Sequence, residues 1–152
     1  MMVVNAAFDE SSLYDGHSEI SLEMTFDAGH RIVGHKGKCA RLHGHTYKVH
    51  IMVAGKVIKP GFVVDFGDLK DLVNEWDHRL LLWDQDPLSL VTYLSDRTPV
   101  ESSEGVVRLP FNPTAELMAT NLAYKIHTQF KNLDRVMVEL WETPKSMARA
   151  LR

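Results

Sequence analysis

Residues 19–30 read EISLEMTFDAGH. Ile20, Leu22, Met24, Phe26 and Ala28 fall on one side of an extended chain, and Glu19, Ser21, Glu23 and Thr25 on the other. Successive side chains of a strand leave opposite faces, so an apolar period of two predicts a half-buried strand ending at His30. Residues 31–42 are rich in glycine and lysine and read as a loop. A second alternating stretch follows, with Tyr47, Val49, Ile51 and Val53 on one face, and stops at Gly55. Further along, Asp65-Phe66-Gly67-Asp68 opens a helix to about Trp76, with acidic residues in the first turn where the helix dipole favours them. Asn112-Pro113 opens a second helix as cap and first residue. Its apolar stripe is Ala119, Leu122, Ala123, Ile126 and Phe130. Val136, Val138 and Leu140 alternate again, and a last short strand spans Met147 to Leu151. Between the helices, 84–105 is polar and turn-rich, a long loop with one short helix around Pro87–Leu94. The order predicts an α+β domain: a four-stranded antiparallel sheet with two helices on one face. Residues 1–18 are expected to form a loosely held leader and 19–152 a single domain.

At 152 residues the chain suits one domain with a sizeable core, and 45% hydrophobic with 24% charged residues is an ordinary globular balance. No apolar run approaches the roughly 20 residues that a membrane-spanning helix needs. The N-terminal MMVVNAAFDESSLYDG lacks the basic start and apolar stretch of a signal peptide. A lone cysteine forms no internal disulfide, which fits a cytoplasmic location. A net charge of −3 offers no general attraction to nucleic acid. Histidine stands out: six of the eight lie between His17 and His50.

His43 and His45 are two apart at the start of the second strand, so both side chains leave one face. Their Cβ atoms stand roughly 7 Å apart, close enough for two imidazoles to share one ion. His30 ends the first strand in step with Phe26 and Ala28. If the strands are neighbours, three imidazoles meet at one end of the sheet. Three neutral nitrogen ligands suit Zn²⁺ and leave a fourth position open, the pattern of a catalytic rather than a structural site. The plainer alternative is a His-Gly-His turn entering a strand.

Cys39 lies four residues before His43 among Lys36, Lys38 and Arg41, and nearby positive charge raises the thiolate fraction of a thiol. In Asp77-His78 the carboxylate can fix the imidazole's tautomer and stabilise its charged form, as a proton shuttle requires. The helix dipole is an equal reason for a histidine there. Glu142 falls in register with Val136, Val138 and Leu140, so a carboxylate ends an inward face. It calls for a partner such as a ligand carrying N–H donors, or else reaches solvent at the strand end. Glu116 in a first helical turn and Asp65 at a cap have sufficient structural reasons. His17, His35, His50 and His127 read as surface or packing residues.

Six ordered motifs, F-D-A-G-H-R (26–31), C-A-R-L-H-G-H-T-Y (39–47), V-D-F-G-D-L-K (64–70), D-H-R (77–79), P-T-A-E (113–116) and E-T-P (142–144), span about residues 19–150. Together they resemble the 6-pyruvoyl-tetrahydropterin synthase and 6-carboxytetrahydropterin synthase family. The resemblance implies the tunnelling fold, in which sheets of several protomers close into a barrel, in a homohexamer built as a dimer of trimers with active sites at subunit interfaces. It implies His30, His43 and His45 as zinc ligands, Cys39, Asp77 and His78 as the catalytic group, and Glu142 as the pterin anchor, with Glu116 and Thr143 also binding substrate. The three-residue gap between Cys39 and His43 resembles the carboxy-tetrahydropterin branch of 7-deazaguanine (queuosine) biosynthesis. That branch converts 7,8-dihydroneopterin triphosphate to 6-carboxytetrahydropterin, acetaldehyde and triphosphate. Pyruvoyl-tetrahydropterin synthesis, and a non-catalytic zinc-stabilised module, are the alternatives. Gly29, where the family usually has alanine, and Lys145-Ser146-Met147 depart from the pattern. Arg31, Lys36, Lys38 and Arg41 form a basic loop suited to attracting the triphosphate.

Overall fold

The computed structural model describes residues 9–95 and 105–152. Strand β1 (His17–His30) pairs antiparallel with β2 (His43–Lys56) along its whole length, from His17 opposite Lys56 to His30 opposite His43. Strand β5 (Leu133–Thr143) runs antiparallel to β2, and β6 (Ser146–Leu151) closes a hairpin onto β5. The alternation read from the sequence is the one observed: Phe26, Tyr47, Val49, Ile51, Val53, Val136, Val138 and Leu140 are all buried on one face.

The sheet has six strands rather than the four expected, and it is mixed rather than wholly antiparallel. Strand β3 (Arg79–Trp83) runs parallel to β1, and β4 (Val106–Leu109) runs parallel to β3, giving the order β4-β3-β1-β2-β5-β6. The reason is physical. Leu81 and Leu82 are adjacent and both fully buried, so β3 is covered on both faces and carries no alternation to read. The four residues of β4 are too few to show a period. The segment read as a leader also contributes: a short 3-10 turn spans Glu10–Asp15, and β1 begins at His17 rather than Glu19. Residues 1–8 of that leader, and 96–104 of the long loop, lie outside the described residues.

Helix α1 (Phe66–Asn74) begins at Asp65, whose carboxylate accepts the Gly67 N–H at 2.7 Å. The short α2 (Leu88–Ser95) falls where the long loop was read to hold one. Helix α3 (Ala115–Gln129) is capped by Thr114, not by Asn112: the Thr114 hydroxyl accepts the Leu117 N–H. Asn112 instead ties the 31–42 loop down, accepting from Val33 N–H and donating to the Val33 carbonyl at 3.0 and 2.8 Å. Leu69, Leu72 and Val73 of α1 and Met118, Leu122 and Ile126 of α3 cover the apolar sheet face in one continuous core. Each such side chain contributes roughly 1.5–3 kcal/mol on burial.

Candidate active site

At one end of the β1–β2 pair the core face changes from apolar to imidazole. His30 and Tyr47 are fully buried, and His43 and His45 half-buried. The three histidine rings stand with centroids 4.6, 5.2 and 5.0 Å apart, and one nitrogen from each lies within 4.8 Å of the others. Full-length pairing of β1 and β2 brings this about, because it sets His30 directly opposite His43 and Ala28 opposite His45.

The outer nitrogens show what the inner ones can do. His30 Nδ1 faces the Pro113 carbonyl at 2.8 Å, and His43 Nδ1 faces the Arg41 carbonyl at 2.7 Å. A carbonyl only accepts, so both Nδ1 atoms carry the proton, and in a neutral ring both Nε2 atoms present lone pairs. Those two Nε2 atoms lie 3.2 Å apart. The Glu142 carboxylate approaches the same point, 3.2 Å from His30 Nε2 and 3.6 Å from His45 Nε2, and His45 Nε2 is buried without a hydrogen bond. Two imidazole lone pairs and a carboxylate thus converge, with the His45 Nε2 beside them unpartnered among the described residues. A cation fits that set, and carbonyl-bound Nδ1–H groups orient histidine ligands in metal sites. Burial also holds His30 and His45 below the ordinary histidine pKa, toward the neutral form that a metal takes.

Two clefts flank this centre. The first, of about 230 Å³, is lined by Ile32, His35, Cys39, Glu116, Glu142 and Met147 among others. Cys39 sits there in a 3-10 turn, Lys38–Ala40, whose carbonyl end is pinned by the Ile32 N–H at 2.8 Å. The cleft thus brings together Cys39, Glu142 and Glu116, and adds His35, which no sequence pattern singles out. Thr143 turns elsewhere, its hydroxyl accepting the Lys145 N–H in the β5–β6 turn.

The second cleft, of about 640 Å³, is lined by Asp27, Gly29, His45, Thr46, His78 and Arg79 among others. Asp27, Gly29 and Thr46 alternate with the core-facing residues of their strands, so this cleft opens toward the other face of the sheet. His78 is largely exposed, with Nδ1 2.9 Å from Asp77 Oδ2. The bond and charge of Asp77 push its pKa above the ordinary value, while the Asp27 N–H is the main cause holding Asp77 low. Trp76, buried beneath and tilted against Phe26 at 5.9 Å, anchors the turn that presents the pair. Within one chain, Cys39 and His78 therefore line different clefts.

Of the basic loop, Arg31 is committed elsewhere: its Nε lies 3.5 Å from the buried carboxylate of Asp86, a pairing not legible in the sequence. Lys36, Lys38 and Arg41 are exposed and make no ion pair among the described residues. His50 also exceeds a packing role, since its Nδ1 lies 3.0 Å from Glu139, which Arg149 grips from the other side at 2.8 Å.

Comparison with known proteins bears on this arrangement. The profile of the 6-pyruvoyl tetrahydropterin synthase family matches residues 19–152. A probable 6-carboxy-5,6,7,8-tetrahydropterin synthase of Halobacterium salinarum is 36% identical over 141 residues, covering 92% of this chain and 89% of the relative. The 6-carboxy-5,6,7,8-tetrahydropterin synthase of Rickettsia felis is 38% identical over 130 residues, covering 80% and 91%. Among solved structures, 6-pyruvoyl tetrahydropterin synthase from Plasmodium vivax superposes with a TM-score of 0.63 at 21% identity, covering 91% of this chain and 99% of that one. An uncharacterized protein from Wolinella succinogenes superposes with a TM-score of 0.66 at 26% identity, covering 90% and 98%.

Proposed function

The chain belongs to the 6-pyruvoyl tetrahydropterin synthase family, and we propose that it is a zinc-dependent 6-carboxy-5,6,7,8-tetrahydropterin synthase of 7-deazaguanine (queuosine) biosynthesis. It would convert 7,8-dihydroneopterin triphosphate, with uptake of water, to 6-carboxytetrahydropterin, acetaldehyde and triphosphate. The observation that carries the reading is the convergence of three imidazole rings, with one nitrogen of each within 4.8 Å of the others, beside a cleft lined by Cys39 and Glu142. The curated relatives named for the carboxy product favour that branch. The pyruvoyl-forming reaction is the rival, since the family profile and the Plasmodium neighbour carry that name.

His30, His43 and His45 would hold the metal, whose bound form supplies Lewis acidity toward side-chain oxygens of the substrate. Glu142 and Glu116 line one cleft, and a carboxylate there accepts the paired N–H groups on the amino-pyrimidinone edge of a pterin. Thr143, in the turn that follows Glu142, joins the substrate-binding set on the strength of the motif alone. Cys39 takes and returns a proton during tautomerisation and carbon–carbon cleavage, and the Asp77-supported His78 does the same from its own cleft. Because these groups are apart within one chain, the complete site needs a second subunit to bring a His78 to a Cys39. The strands β4 and β6 each end the sheet with an unpaired edge among the described residues, and pairing such edges between copies closes a barrel. We propose a hexamer of two trimers, as the family resemblance implies, acting in the cytoplasm. Lys36, Lys38 and Arg41 attract the triphosphate.

Zinc-loaded protein incubated anaerobically with 7,8-dihydroneopterin triphosphate should release triphosphate, and a chelator should stop it. Cys39→Ser should retain metal and assembly but lose at least about a hundredfold in turnover, as general acid–base groups contribute about 10²–10⁴-fold. Near-normal turnover in that variant removes Cys39 from the chemistry and turns the site toward a purely metal-stabilised module.

A further inference from the structure

We propose that Asp27 is a positioning residue for the Asp77–His78 pair, its carboxylate held in place by Thr46. Asp27 thereby supports the catalytic group assigned above from outside it, and its expected effect on turnover rests on that assignment.

Four contacts join three segments distant in the chain. The Asp27 N–H donates to Asp77 Oδ1 at 2.9 Å, and the His78 N–H donates to the Asp27 carbonyl at 2.6 Å. The second Asp77 oxygen binds His78 Nδ1 at 2.9 Å, and the Thr46 hydroxyl donates to Asp27 Oδ1. Asp77 is therefore gripped on both oxygens, one by β1 and one by the imidazole it orients. His78 has φ +57, a left-handed conformation that a non-glycine residue keeps only when its surroundings enforce it. The backbone of Asp27 supplies that enforcement from both its N–H and its carbonyl.

Backbone contacts do not require an aspartate, and the side chain has a separate role. Asp27 points away from the core, so nothing in the packing selects a carboxylate there. Thr46 on β2 turns that carboxylate toward the cleft instead of leaving it free in solvent. The charged and titratable groups lining His78's cleft are Asp27 from β1, His45 from β2 and Arg79 from β3, with Asp77 on its own turn. Among the described residues Asp27 is the one further negative charge there, and it acts on His78 in the same direction as Asp77. With Nδ1 committed to Asp77, Nε2 is the nitrogen left to exchange a proton, and a second carboxylate stabilises the imidazolium while it does so.

The test uses zinc-loaded Asp27→Asn, Asp27→Ala and Thr46→Val, all of which keep the Asp27 backbone bonds. The His78 ring is followed by NMR, its resonance identified by its loss in His78→Gln. The two Asp27 variants should titrate at lower pH than the parent, with Thr46→Val between. Turnover should fall about three- to tenfold in kcat at unchanged KM, and the limb of the pH profile owed to His78 should move with the resonance. An unchanged His78 titration in both Asp27 variants overturns the proposal and leaves the Asp27 carboxylate as a partner of Thr46 alone. A displaced titration with unchanged turnover upholds the positioning and refutes instead the use of His78 in the reaction.

Discussion

Glu142→Gln separates the two environments that this carboxylate touches. Its Oε1 stands 3.2 and 3.6 Å from the Nε2 atoms of His30 and His45, while the same side chain lines the Cys39 cleft and is 29% exposed. Glutamine keeps the size and one acceptor but replaces the second acceptor by a donor. A pterin edge that presents two N–H groups would then keep one bond and face a donor with the other. A hydrogen bond to a charged group is worth about 1.5–3 kcal/mol, which predicts about ten- to a hundredfold weaker binding. Titration calorimetry of the metal-loaded protein with 7,8-dihydropterin reads the ring alone, without help from a triphosphate. Elemental analysis of the same samples should show the metal content retained, because all three imidazoles remain. An affinity equal to the parent's would refute the anchor and confine Glu142 to its histidine neighbours.

Tyr47→Phe should stabilise the metal-free protein. The Tyr47 hydroxyl is buried without a partner among the described residues, at a cost of about 1–3 kcal/mol, and phenylalanine keeps the stacking on Phe26 at 4.9 Å. A gain of about 1 kcal/mol is a rise of about 2–4 °C in thermal midpoint, and a fall of that size would mean that the hydroxyl has a partner. Glu139 is held below the ordinary glutamate pKa, first by the His50 hydrogen bond and then by Arg149. A lowered carboxylate contributes stability that is present above its unfolded pKa and lost as pH falls through the folded value, so Glu139→Gln should flatten the acid side of a denaturation profile. An equally steep acid limb in the variant would exclude this cluster as its source. Gly55→Ala should prevent folding or nearly so, since a Cβ there would stand 2.2 Å from the Asn132 carbonyl oxygen and 2.8 Å from Leu133 Cα. Gly29→Ala meets only the tip of Leu80, at 2.5 Å, and should cost about 1 kcal/mol while moving Leu80; comparable losses in the two variants would contradict this difference.

The strands that carry the three histidines were legible because each buries one face only. Glu19 to His30 alternates, and the parity that puts Phe26 inward puts His30 inward too. Arg79–Trp83 carries no such signal, since Leu81 and Leu82 are buried on both sides, and with it went β4 and the mixed topology. Asn112-Pro113 has the chemistry of a helix start, but the capping bond is made two residues later. The displaced asparagine holds Val33, and the freed Pro113 carbonyl holds His30, long-range contacts that no local pattern announces. The same applies to Arg31. Its place in a basic loop suggested an anion, whereas the fold brings buried Asp86 to it from the turn before α2. His35 lines the Cys39 cleft only because the Ile32–Cys39 bond folds its loop back.

As the carboxy-tetrahydropterin synthase proposed above, this chain would cleave a carbon–carbon bond in its substrate and would not stop at elimination of triphosphate. Zinc-loaded protein and 7,8-dihydroneopterin triphosphate, incubated without oxygen, can be followed by mass spectrometry of the pterin and by enzymatic reduction of released acetaldehyde. The expected products are 6-carboxytetrahydropterin and acetaldehyde in equal amounts, both abolished by His43→Ala. Accumulation of 6-pyruvoyl-tetrahydropterin with triphosphate released and no acetaldehyde would contradict that proposal.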